Sequence, residues 1–322
     1  MTMHRQFRRI ALLGAAAMIW SGGEALAAQC GNSSAGFEAW KQEFASEAAG
    51  KGISPAAIEA LKGTHYNAAT ISADRGQKSF RLSLDQFMAK RGGPTIIARG
   101  RALKRSNAAL FASIEQSYGV PAGPLLAIWG METGFGAVHG NQNALSAVAT
   151  LAYDCRRSAY FTDQLYAALK LVERGVITAN THGSMHGEIG QTQFLPKNIL
   201  NYGTGGSLDN TGPALTSTAN FLKAHGWRAG AGYQPGEPNF SAIQEWNAAS
   251  VYQRAIALIG RQIDEGGSGA STAAHMSGDS ETPAPCGGRR SDAREAPAPA
   301  RQSAPAEETP SFGGALFGDD DN

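Results

Sequence analysis

Residues 125–136 read Leu125-Leu126-Ala127-Ile128-Trp129-Gly130-Met131-Glu132-Thr133-Gly134-Phe135-Gly136. The run from Pro121 to Thr133 is strongly apolar and predicts a buried helix. One carboxylate, Glu132, stands at its end among Trp129, Met131 and Phe135. Apolar surroundings disfavour the ionised form and raise a carboxyl pKa. Such a group holds a proton near neutral pH, as a general acid must. Gly134 and Gly136 permit tight turns beyond the helix and close approach of a ligand. Taken alone, the same residue also reads as a surface Glu at a helix end.

Outward from this stretch the helical pattern continues over nearly all of residues 36–265. Phe37, Trp40 and Phe44 share one helical face. Ser54-Pro55 supplies an N-cap and a first-turn proline. Asn107 to Tyr118 is amphipathic and stops at Gly119 and Pro121. Leu145–Tyr153, Tyr160–Val172, Leu215–Ala224 and Ser250–Asp264 predict further helices. Period-two alternation is scarce and no solenoid period is visible. The predicted class is mainly α, with at most a small β element.

The two ends differ from this middle. Arg5, Arg8 and Arg9 precede the apolar run Ile10–Trp20, and Ala25-Leu26-Ala27 fits a small-x-small cleavage site. Residues 1–27 therefore read as a removed export signal, too short to span a bilayer. Gln29 directly before Cys30 disfavours lipidation. In an oxidising compartment Cys30 reads as a disulfide partner. Its possible partners are Cys155 and Cys286; Cys155 is favoured, because Cys286 lies in a segment of disordered character. Residues 266–322 are rich in Gly, Ser, Ala, Pro and charge, and lack the large apolar side chains that would offset chain entropy. The division is thus a signal over 1–27, a catalytic domain over 28–265, and a low-complexity tail over 266–322. The tail reads as a solvated extension, with recruitment of a cell-wall protein as the alternative. With 28 basic and 27 acidic side chains, the chain lacks the basic excess of a nucleic-acid binder.

Two more segments carry chemistry. Gly183-Ser184-Met185-His186-Gly187-Glu188-Ile189-Gly190-Gln191-Thr192-Gln193-Phe194-Leu195-Pro196 mixes hydroxyls, amides and an aromatic ring. Sugars suit such sites, their hydroxyls pairing with Ser and Gln and their apolar faces lying on rings. Tyr153-Asp154-Cys155-Arg156-Arg157-Ser158-Ala159-Tyr160-Phe161 places two arginines where they could hold carboxylates, or simply charge a helix end. Together with the Glu132 stretch, the order Arg-Arg-x-x-Tyr-Phe at 156–161, Gly-Gln-x-Gln-Phe-x-Pro at 190–196 and Asn220-Phe221-Leu222-Lys223-Ala224-His225-Gly226-Trp227 resembles the lytic murein transglycosylase B family of the lysozyme-like superfamily. Gln77-Lys78-Ser79-Phe80 and Ala98-Arg99-Gly100-Arg101 resemble it as well, so the likeness covers about residues 36–262.

The resemblance implies a lysozyme-like fold with a glycan groove for peptidoglycan strands; the export signal implies the periplasm, nothing in the sequence argues against a monomer, and no cofactor is expected. The resemblance makes Glu132 the single catalytic acid/base. Ser184, Gln193 and Phe194 become groove residues, Arg156 and Arg157 basic residues near the peptide or lactyl groups, and Asn247 a looser groove match. The implied reaction cleaves the bond between N-acetylmuramic acid and N-acetylglucosamine and leaves a 1,6-anhydro end. A muramidase on the same scaffold and a non-catalytic peptidoglycan binder are the alternatives. Substrate assistance by the N-acetyl group removes the need for a second carboxylate, and none is evident beside Glu132. Glu188 reads as a loop residue, because the family pattern is not acidic there. Tyr202 to Asn210 has one carboxylate where some members carry a calcium-type loop, so no calcium is expected. His182 and His186 stand at i,i+4, but the glycines beside them argue against a helix and hence against a metal pair. Arg99, Arg101 and Arg105 read as a solvated helix face, with an anionic-glycan patch as the alternative.

Overall fold

A computed structural model describes residues 28–76 and 82–266 of the chain. Residues 1–27, read above as an export signal, Gln77–Phe80, and residues 267–322 with Cys286 lie outside the described residues. Thirteen α-helices occur among those described: α1 (Phe37–Gly50), α2 (Pro55–Lys62), α3 (Ala68–Gly76), α4 (Leu84–Lys90), α5 (Gly93–Ser106), α6 (Ala108–Tyr118), α7 (Ala122–Thr133), α8 (Ala144–Tyr153), α9 (Ser158–Glu173), α10 (Pro196–Tyr202), α11 (Thr211–Ala224), α12 (Phe240–Trp246) and α13 (Ser250–Glu265). The sheet is two residues deep: β1 (Gln142–Asn143) runs antiparallel to β2 (His182–Gly183), with Gln142 opposite Gly183. The structure is mainly α, as the periodicity predicts.

Local signals account for many of the boundaries. The Ser54 hydroxyl accepts from the Ala57 N–H at the start of α2, ahead of Pro55. Ser83 and Gln86 form a reciprocal capping box on α4. Gly119, in the left-handed region, ends α6. The expected continuity of helix fails between α9 and α10. There Gly175, Gly187 and Gly190 all take positive φ, which breaks the backbone into turns.

Helix α7 is the centre of the molecule, and all twelve of its residues are buried. It packs most extensively on α13 and also on α5. Gly123 and Gly260 face each other, and a Cβ on Gly123 would collide with the Gly260 carbonyl. Small residues thus bring the two helices to backbone contact. The carbonyl ends of both helices are served by the arginines of α5. Arg99 Nη1 donates to Gly134 O at 3.2 Å, and Arg101 Nε and Nη2 donate to Gln262 O at 3.0 and 2.8 Å. These cations complete helix C-termini. Arg99 stays exposed, as a solvated face should, whereas Arg101 is partly buried by its bonds.

A second layer joins α1, α2, α8 and α9. Phe37, Trp40, Tyr66 and Tyr153 form an aromatic cluster there, with centroids 5.5–6.3 Å apart in the pairs Phe37–Tyr153, Trp40–Tyr153 and Tyr66–Tyr153. A disulfide joins Cys30 to Cys155, the favoured pairing. It ties the segment before α1 to the turn after α8, where Gly31 N–H also donates to Tyr153 O. None of the described helices is long and apolar enough to cross a membrane.

Candidate active site

The end of α7 meets the irregular segment between β2 and α10. Gly134, Phe135 and Gly136 take φ of 58°, 63° and 74°, so the chain turns sharply after Thr133. The Thr133 hydroxyl donates to Gln191 O at 2.7 Å and accepts from Gly136 N–H at 3.0 Å. One side chain therefore fixes both the turn and the facing segment. In that segment Gln193 is the second non-glycine residue with positive φ, at 54°. Such a conformation costs about 1 kcal/mol or more and persists only where the surroundings impose it. Here Ile189 and Phe194 exchange backbone hydrogen bonds around it, and Gln193 Nε2 donates to Gly190 O.

Glu132 is 1% exposed. Its Oε1 accepts from Trp246 Nε1 at 3.1 Å and from the Tyr252 hydroxyl at 2.8 Å. Its Oε2 is buried without a hydrogen-bond partner among the described residues. Burial pushes the carboxyl up from 4.5 to about 7, and the bonds from Trp246 and Tyr252 and the charge of Arg91 only partly offset this. Burial thus favours the neutral carboxyl, and Oε2 is the oxygen that no protein donor occupies.

That oxygen belongs to a carboxyl lining a small cavity with Glu188, Gln193, Phe194, Leu195, Asn198 and Trp246. A cleft of about 420 Å³ adjoins it through Gln193, bordered by His139, Asn180, His182 and Asp209 among others. The cleft is polar and open, and large enough for a sugar.

The other expected site residues take varied places. Gln193 and Phe194 line the Glu132 cavity. Ser184 is buried one step behind it, and its hydroxyl donates to Glu188 Oε2 at 2.8 Å while accepting from the His186 and Glu188 N–H groups. Asn247 follows Trp246, and its side chain accepts from Ala249 N–H at 2.9 Å at the entry to α13. Arg156 and Arg157 both grip Asp74 of α3, with Arg157 mostly buried and Arg156 half-exposed. His186 lies behind them, driven down to about 4 by burial and by the two arginines.

Glu188 requires a correction. It does sit in a loop between β2 and α10, but it is 2% exposed and shares the cavity with Glu132, where no second acid was expected. A second carboxyl therefore stands beside the acid. Its legible signal is an acid set between Gly187 and Gly190 within a stretch of small, hydroxyl and amide side chains. Trp246 and Tyr252 were also missed as partners of Glu132, because they come from 114 and 120 residues away.

The buried carboxyls of Glu132 and Glu188 stand beside a polar cleft in a mainly helical frame. Residues 36–236 match the family described as the transglycosylase SLT domain, and the chain belongs to that family. It is 35% identical over 139 residues to membrane-bound lytic murein transglycosylase B of Escherichia coli strain K12, a stretch that spans 38% of this chain and 38% of that relative. Among solved structures it resembles SltB3 from Pseudomonas aeruginosa in complex with NAG-anhNAM-pentapeptide, with a TM-score of 0.65 and 28% identity over 71% of this chain and 79% of that one. The same protein with NAG-NAM-pentapeptide gives a TM-score of 0.65 and 28% identity over 72% and 80%. The Escherichia coli lytic transglycosylase Slt35 with bulgecin A shares the fold, with a TM-score of 0.62 and 23% identity over 74% and 96%.

Proposed function

We propose that this protein is a lytic transglycosylase of peptidoglycan with Glu132 as its acid/base. The observation that carries the reading is the Glu132 carboxyl: buried, held up to about 7, and with an unclaimed oxygen in a cavity beside a polar cleft. Protonated Glu132 gives its proton to the oxygen joining N-acetylmuramic acid to N-acetylglucosamine, and that bond breaks. The substrate's N-acetyl group stabilises the cationic carbon. Ionised Glu132, steadied by Trp246 and Tyr252, then takes the proton of the muramoyl 6-hydroxyl. The freed oxygen closes onto the anomeric carbon, giving a 1,6-anhydro end, restoring the acid and consuming no water. The relative solved with an anhydro-muramoyl pentapeptide supports this outcome.

Gln193 and Phe194 line the sugar site in this reading, and Ser184 and Asn247 hold its walls. Arg156 is the half-exposed cation available to a stem carboxylate; Arg157 supports it through Asp74. The protein works as an exported, periplasmic monomer, with residues 1–27 removed and the tail free to meet a cell-wall protein. The Cys30–Cys155 disulfide supports the oxidising compartment.

The test is digestion of purified peptidoglycan by the mature protein and by Glu132→Gln, with the fragment ends identified by mass spectrometry. Anhydro-muramoyl ends from the wild type alone are expected. Reducing ends would make the protein a muramidase, and undiminished cleavage by Glu132→Gln would remove Glu132 from its role.

A further inference from the structure

Glu188 is a buried acid that the reaction above does not use. It lines the Glu132 cavity, where burial and the Glu132 carboxyl disfavour a second charge and the Ser184 hydroxyl and the Arg157 cation only partly offset them. Ser184 can direct its single proton only at Glu188, because the same hydroxyl oxygen already accepts two backbone N–H groups. Glu188 thus has one side-chain donor, whereas Glu132 has two. The cation facing Glu188 is Arg157, whose guanidinium is engaged by Asp74. The remaining ionisable neighbours are the phenols of Tyr160 and Tyr252, and Glu132 itself, whose Oε1 in turn lies in the field of Arg91. Like carboxyls sharing a buried site do not both ionise near neutrality. Glu132, with more donors, is the first of the two to ionise, and Glu188 keeps its proton when it does. Burial and the charge of Glu132 both push it well above its ordinary value.

A carboxyl that keeps its proton is a hydrogen-bond donor. We propose that Glu188 is a substrate-positioning residue whose neutral carboxyl donates a hydrogen bond to an oxygen of the sugar seated over Glu132. The inference rests on the glycan-binding reading of this site but not on cleavage. The donor leaves Glu132 as the one group that cycles between acid and base.

Binding of NAG-NAM-pentapeptide by calorimetry tests this on the full mature protein, with Glu188→Leu and Glu188→Gln beside the wild type. Glu188→Leu removes the donor at similar volume and is expected to weaken binding about tenfold, the worth of one lost hydrogen bond. Glu188→Gln keeps a neutral donor and is expected to recover affinity to within about threefold of wild type. Infrared spectra above about pH 8, where ordinary carboxyls are ionised, should retain a protonated-carboxyl band in the wild type that Glu188→Gln lacks. Wild-type affinity in Glu188→Leu would overturn the inference, as would a missing band or equal losses in the two variants. If Glu188→Leu fails to fold, the Gln variant and the band still decide. A wild type that binds the fragment with this pattern but releases no anhydro ends would sink the proposed activity and leave the role of Glu188 standing.

Discussion

Helix α7 and the segment from β2 to Pro196 face each other across the active cavity, and they are held in place by different means. α7 is fixed by packing: every side chain is buried, and two glycines admit its neighbour. The opposite segment has little regular structure. It is fixed by hydrogen bonds from Ser184, Gln193 and Thr133, and by a left-handed Gln193. Packing suits a residue that must lose water, because desolvation is what raises Glu132. Hydrogen bonding suits residues that must offer polar groups to a ligand while staying rigid.

The largest effect expected on this contrast is at Glu132. Its replacement by Gln should cut glycan cleavage by roughly 10²–10⁴-fold without loss of fold. Wild-type activity should decline as pH rises through about 7, where the acid form disappears. The same proton appears in stability. A carboxyl raised from 4.5 to about 7 contributes fully below 4.5 and loses that contribution as pH rises through about 7. Glu132→Gln should therefore gain up to about 3 kcal/mol over wild type above pH 7 and little at pH 4. Denaturant melts at both pH values check this, and a pH-independent difference would break the link between packing and acidity.

Next comes Gly130→Ala, whose Cβ would meet Ile96 Cγ2 at 2.5 Å and the Phe135 ring at 2.8 Å. Overpacking here should cost about 1–3 kcal/mol in chemical denaturation. Thr133→Val cuts the hydroxyl tie between the two regions and leaves Gln191 O short of a donor, at about 1–3 kcal/mol. Its activity should fall further than that of Gly130→Ala at equal stability, since only Thr133 sets the spacing across the cavity. Equal losses would mean that packing alone sets the spacing. The smallest stability effect is expected for Gln193→Gly. Glycine relieves the left-handed strain, so the melt should move by about 1 kcal/mol or less, while cleavage falls with the lost cavity wall.

The same contrast governs what the sequence discloses. α7 announces itself, because an uninterrupted apolar run ending in one acid has few other meanings. Ser184, Gln193 and Phe194 are visible as a motif, but nothing in the motif says that Ser184 spends its proton on Glu188. Glu188 itself looks like a loop acid until the fold encloses it. Trp246 and Tyr252 reach Glu132 only because α12 and α13 return to α7, a fact of tertiary structure. Arg156 and Arg157 look like ligand groups until Asp74 of α3 is brought against them. One-sided signals survive in sequence; distant pairings mostly do not, and Cys30–Cys155 is legible only because few cysteines compete for it.

The complete enclosure of α7 has a consequence for motion. Its amides have no solvent-side face from which to fray, so their exchange with deuterium requires opening of the whole domain. The residue that carries the proton is thus mounted on the part of the molecule that opens last. Heat should then silence the protein only when the fold itself is lost, with no earlier state in which α7 has loosened by itself.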